Sequence, residues 1–107
     1  MVRGLRKVFL MQPTLEPAFV SSPKWQGLSP EARSTLQGLL QFVTRKHCDW
    51  VVEATPKQIG DWIGSEAEMQ PAKVVAALRE LTLSGCLRRG QSNSGTKFIV
   101  APSCVDR

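Results

Sequence analysis

A chain of 107 residues is long enough for one domain with a modest core and too short for two. With 42% hydrophobic residues it has the composition of a folded domain, and no apolar run approaches the roughly 18 residues that a membrane span needs. The net charge of +5 is concentrated at the ends: residues 1–28 hold four cations against one anion, 29–85 six against seven, and 86–107 four against one. Such ends favour an acidic polymer as partner, and nucleic acid is the usual one in the cytosol.

The start, "MVRGLRKVFLMQP", loosely imitates a signal peptide. Its apolar run is too short and no small-residue cleavage site follows, so a cytoplasmic location is expected. Residues 1–28 contain Pro13, Pro17 and Pro23 without a sustained period. "LRKVFL" could pair as a strand, and the rest reads as an ordered arm or a loose tail.

A first helix begins in "LSPEARSTLQGLLQFVTRKH". Ser29 is a good N-cap, Pro30 suits the first helical position, and Glu31 complements the dipole. Leu36, Leu39, Leu40 and Val43 share a face, and Arg45, Lys46 and His47 are expected in the last turn. "DWVVE" reads as a short strand. "TPKQIGDWIG" then offers a capping box from Thr55 and Gln58, with Pro56 at the first position. Ile59, Trp62 and Ile63 would form its apolar face and Gly64 its stop, so this second helix spans about two turns. "SEAEMQ" is read as a connection. Pro71 opens a third helix whose apolar stripe is Val74, Val75, Leu78 and Leu81, and Gly85 ends it. "CLRR" and "TKFIV" are expected as strands joined by "GQSNSG".

Chemistry-bearing motifs are scarce. Cys48, Cys86 and Cys104 are an odd number without a close pair, which argues against both a disulfide framework and a zinc site. "GQSNSGTK" fails as a phosphate-binding loop, because the lysine follows the threonine and a strand stands where a helix N-terminus is required. "HCDW" places neighbours side by side that cannot converge on one reacting atom, and Glu66 and Glu68 lie in a polar connection. No catalytic constellation emerges, so neither an enzyme nor a cofactor is expected.

The element order and its charge placement resemble a winged helix-turn-helix domain. "LSPEARSTLQGLLQFV" is similar to that family's first helix, "PKQIGDWIG" to its second, and "PAKVVAALRELTLSGCLRRG" to the recognition helix with the first wing strand. The resemblance covers about residues 28–101 and extends to small transcriptional regulators and to plasmid and phage replication initiators. It implies a mainly α fold with a small β-hairpin (α+β), with residues 1–28 as an arm, 29–101 as the winged helix and 102–107 as a tail. It further implies a non-enzymatic double-stranded DNA-binding protein, a small regulator or a replication or partition accessory of a mobile element. Helix 71–84 would enter the major groove and hairpin 86–100 would lie along the backbone.

Lys73, Ala76 and Ala77 are then the expected groove residues, beside Ala72 and Glu80. Alanines can touch a thymine methyl group but cannot read guanine. Arg88, Arg89 and Lys97, with Ser92 and Asn93 in the loop, would grip phosphates, joined by Lys57 and by Arg6 and Lys7 of the arm. The arm would also support a homodimer. The rival expectation is an adaptor or inhibitor that binds another protein, which an exposed tryptophan among Trp25, Trp50 and Trp62 would favour.

Overall fold

The computed structural model describes residues 14–46, 49–92 and 95–106. The chain runs β1 (Thr14–Leu15), α1 (Pro17–Val20), α2 (Pro23–Gln26), α3 (Pro30–Leu39), β2 (Thr44–Lys46), β3 (Asp49–Glu53), α4 (Pro56–Ala67), α5 (Pro71–Ser84), β4 (Leu87–Ser92) and β5 (Gly95–Val100). A 3₁₀ turn at Pro102–Cys104 leads into β6 (Val105–Asp106), which pairs with β1. The fold is mixed α+β. Its antiparallel sheet, ordered β2-β3-β5-β4, has four strands and so exceeds the expected hairpin.

Proline punctuates the chain. A proline opens each of the five helices, where its missing N–H costs nothing and its fixed φ suits the first turn. Ser29 and Thr55 accept hydrogen bonds from the N–H groups of Ala32 and Gln58, and the Thr55–Gln58 capping box is present. α5 has no side-chain cap and relies on Pro71 and on packing.

α3, α4 and α5 pack on one another, and α5 also packs against β4. Leu36, Leu39, Ile59, Val74 and Leu81 are fully buried at the centre. Phe19, Trp25 and Leu28 join the same core. Phe19 and Trp25 meet edge to face at 5.6 Å, and Arg33 holds the Trp25 and Gln26 carbonyls while lying over the Trp25 ring. Residues 14–28, expected as part of an arm, are therefore packed onto the helices, and within the expected tail Cys104 and Val105 join the same core. Arg6, Lys7, His47, Cys48 and Asn93 lie outside the described residues.

Two expected helix ends change. The first helix ends at Leu39, and Arg45 and Lys46 belong to β2 rather than to a last helical turn. Cross-strand pairing explains this: Arg45 faces Trp50 and its guanidinium lies 5.3 Å above the indole, while Lys46 pairs with Glu53.

α4 does not stop at Gly64 but runs on to Ala67. Gly64 serves close approach instead: a Cβ there would stand 2.8 Å from the Met69 carbonyl, and one at Gly60 would stand 3.1 Å from the Pro71 carbonyl. The left-handed turn falls on Glu68 (φ 55), so only Glu68, Met69 and Gln70 separate α4 from α5. The six residues SEAEMQ, read as the connection, thus reduce to a tight three-residue turn.

Among the described residues no helix is long and apolar enough to cross a membrane.

Candidate nucleic-acid interface

The orientation of α5 decides which side chains it offers. Val74, Ala77, Leu78 and Leu81 face the core, which turns Ala72, Ala76, Arg79 and Leu83 outward in one line at helical spacing. Ala77 is 2% exposed and cannot touch a ligand, contrary to expectation. Val75, expected in the apolar stripe, is 39% exposed, and Leu83 is 82% exposed. Both lie on the outward half of the helix, so the apolar stripe is rotated relative to the one expected, and Arg79 takes the central outward position.

Glu80, expected to be displayed beside Lys73, is instead a clamp. Its carboxylate accepts the Ser29 N–H at 2.8 Å and the Ser29 hydroxyl at 2.7 Å, while that hydroxyl accepts the Ala32 N–H at 3.1 Å. The Ser29 backbone bond, then its hydroxyl bond, hold the carboxyl below its ordinary value of 4.5. A depressed folded-state pKa adds stability that is complete above about pH 4.5 and is lost as pH falls through the folded value. Glu80→Gln should abolish that acid-side loss and lower stability near neutrality by about 1–2 kcal/mol, allowing for the carboxylate's partial exposure. Urea titrations of both proteins at pH 7 and pH 3.5 check this; an unchanged pH profile in the variant would contradict the clamp.

The hairpin cations divide between two faces. Strand residues directly opposite each other share a face, and successive residues alternate. Arg89 stands opposite Phe98, which is buried, so Arg89 faces the helices, with its guanidinium 6.0 Å from the Phe98 ring. Arg88 stands opposite Ile99, and Gly90 opposite Lys97, on the outer face. The Lys97 stem covers Gly90, where a Cβ would meet Lys97 Cε at 3.3 Å, and Lys97 also lies directly across from Glu53. Lys97 thus has a carboxylate-bearing residue across from it, whereas Arg88 stands opposite Ile99. Ser92 ends β4 near the turn.

Arg79 and Arg89 line one cleft between α5 and β4, with Pro56, Val75, Leu83 and Phe98 as its other walls. Lys57, exposed at the start of α4, follows Pro56 directly. On the opposite flank of α5, Lys73 is exposed beside Ala72 and Ala76 in a cleft that also contains Glu31 and Glu80. Among the described residues the recorded ion pair is Lys46–Glu53, so Lys57, Arg79, Arg88 and Arg89 are not engaged by a carboxylate. Guanidinium groups on both sides of a cleft, over largely apolar walls, can take phosphate oxygens and base edges together. Arg79 is the residue that sequence reasoning missed. Its signal was present in the spacing Ala72, Ala76, Arg79 and Leu83, opposite the four buried positions.

No group of carboxylates, thiols and histidines able to hold a metal occurs among the described residues. Comparison of the chain with protein-family models, with curated proteins and with solved structures finds no match.

Proposed function

We propose that the chain is a double-stranded DNA-binding protein without enzymatic activity, built as a winged helix-turn-helix. In this reading α4 and α5 are the helix-turn-helix, α5 enters the major groove, and β4–β5 is the wing. The observation that carries it is the pair Arg79 and Arg89, one on each wall of a single cleft and neither engaged by a carboxylate among the described residues. The three-residue turn between α4 and α5 supports it, because it holds the two helices as closely as such a motif requires. Arg79 is then the base-reading side chain, suited to guanine O6 and N7, and Ala72 and Ala76 allow close approach. Lys57, Arg88 and Arg89 contact phosphates.

Polarisation titrations of a labelled duplex library test this division of roles. Arg79→Ala should change the preference at one guanine position by about 1–3 kcal/mol. Arg88→Gln should weaken all duplexes alike and flatten the log-affinity against log-salt slope by about 0.9. Equal, sequence-independent losses in both variants would remove base reading by Arg79.

A second reading is favoured by one observation. Trp62, expected in the core, is 40% exposed and stacks on Phe42 at 5.4 Å. The exposed carboxylate-bearing residues Asp61, Glu66 and Glu68 lie nearby along the chain. An exposed aromatic among acidic residues suits a protein partner and disfavours DNA. It lies on α4 and is compatible with DNA binding through α5.

A further inference from the structure

α5 runs between two furrows. On the β4 side the furrow carries Arg79 and Arg89. On the other side α5 faces the stretch from α2 to the start of α3, and there Ala76, Arg79 and Leu83 line a second cleft with Lys24 and Gly27. Arg79 and Leu83 border both clefts and so form a crest between them. Each furrow has a cation on its far wall: Arg89 on β4 and Lys24 on α2.

A helix of four residues cannot hold itself in water, so tertiary contacts fix α2. The Ser22 hydroxyl accepts the Trp25 N–H at 3.4 Å, and Trp25 is buried with its ring against Phe19. From α3, Arg33 donates to the Trp25 and Gln26 carbonyls at 3.2 and 2.8 Å. Trp25 turns inward, which leaves its neighbour Lys24 exposed on a pinned turn. Lys24 Nζ reaches the left-handed cap of α5, 3.5 Å from where a Cβ on Gly85 would stand. There it offsets the negative C-terminal end of the helix. The ion pair recorded among the described residues, Lys46–Glu53, does not involve Lys24. Glu80 lines the same cleft, but Ser29 occupies both of its carboxylate oxygens, so the ammonium is open to a ligand anion.

We propose that the second furrow is a phosphate-binding site, in which Lys24 grips one sugar–phosphate strand of a duplex while the β4 arginines grip the other. The inference rests on the DNA-binding reading above and extends it to α2, an element outside both the helix-turn-helix and the wing. A groove is bounded by two phosphate strands, so a helix seated in it is held best by cations on both flanks. Lys57, Arg88 and Arg89 lie at the start of α4 and on β4, the elements that wall the first furrow. Lys73 stands on the second flank, but its cleft also contains Glu31, which repels a phosphate. Lys24 is then the cation that completes the second flank.

The test titrates the full chain and its variants with a labelled mixed-sequence duplex over a salt series. Lys24→Gln should flatten the slope of log affinity against log salt by about 0.9 and weaken binding roughly tenfold at about 0.1 M salt. Lys24→Arg keeps a cation in place and should keep the slope. Lys24→Gln with Arg88→Gln should lose about 1.8, because the two meet different phosphates. Arg45→Gln removes the same charge from above Trp50 and should leave the slope unchanged. A second measurement needs no variant: in the unaltered chain, duplex should protect Lys24 from amine acetylation as it protects Lys57, while Lys46 on the far edge of the sheet stays reactive. Three results would overturn the α2 contact: an unchanged slope in Lys24→Gln beside a flattened one in Arg88→Gln, an equal loss in Arg45→Gln, or an unprotected Lys24. No binding by the unaltered chain would instead remove the DNA reading itself, and the contact with it.

Discussion

Replacing Leu81 by alanine is expected to destabilise the fold by about 2–5 kcal/mol, and Leu83→Ala by no more than about 0.5 kcal/mol. Two residues separate in sequence what burial separates completely: Leu81 is 0% exposed and Leu83 is 82% exposed. α5 packs against α3, α4 and β4 at once, so the walls around a deleted Leu81 side chain belong to different elements and cannot all move inward. A domain of this size has about 5–15 kcal/mol of stability in total, so the first variant should melt roughly 10–30 °C lower. Thermal denaturation of both proteins checks it. Similar melting curves would mean that the face of α5 assigned to the core is wrong, and the outward position of Arg79 would be wrong with it.

The largest effect on binding is expected from changing Lys57, Arg79, Arg88 and Arg89 together to glutamine. Each phosphate contact contributes about 0.9 to the slope of log affinity against log salt, which at about 0.1 M salt corresponds to roughly tenfold per contact. Losing even three such contacts should lower affinity by on the order of 10³-fold and flatten the slope by about 2.7. The folded chain should survive the change, because among the described residues none of the four is held by an ion pair and the positions are exposed. A control that removes two cations elsewhere is Arg33→Gln with Arg45→Gln. Those two guanidinium groups lie over Trp25 and Trp50, so their loss should cost stability more than DNA affinity. An affinity loss as large in the control would show that net charge, rather than this surface, governs binding.

Local signals carried far in this chain and tertiary ones did not. Proline next to a capping serine or threonine placed the starts of α3 and α4, because both the φ restriction and the cap bond are properties of neighbouring residues. Gly85 ended α5 for the same kind of reason, since only a residue free to adopt positive φ closes that helix cheaply. Gly64 misled: the feature that demands glycine there is the Met69 carbonyl across the turn, a contact invisible in a single helical stretch. Arg45 and Lys46 read as a cationic helix end until strand pairing with Trp50 and Asp49 is known. The packing of Phe19 and Trp25 was hidden because α1 and α2 have four residues each, too short to show a period.

The candidate surface was legible in part. Lys57, Lys73, Arg88 and Arg89 are exposed as expected, but the alternation of a strand places the two adjacent arginines on opposite faces. Arg79 was lost because Val75 is apolar and was assigned inward. One apolar residue at the edge of a stripe rotates the inferred face, and that rotation wrongly presented Ala77 and Glu80. The Ser29–Glu80 clamp spans 51 residues and leaves no trace in local sequence.

Titration of isotopically labelled protein with a short mixed-sequence duplex, followed by amide chemical shifts, tests the central claim most directly. Shifts should concentrate at Ala72, Lys73, Ala76, Arg79 and Leu83 on α5, at Lys57, and along Arg88 to Gln91, and they should diminish as salt is raised. The outer acidic stretch of α4 around Trp62 should stay unchanged. Shifts confined to that Trp62 and Phe42 face, or none at a duplex excess, would contradict the account.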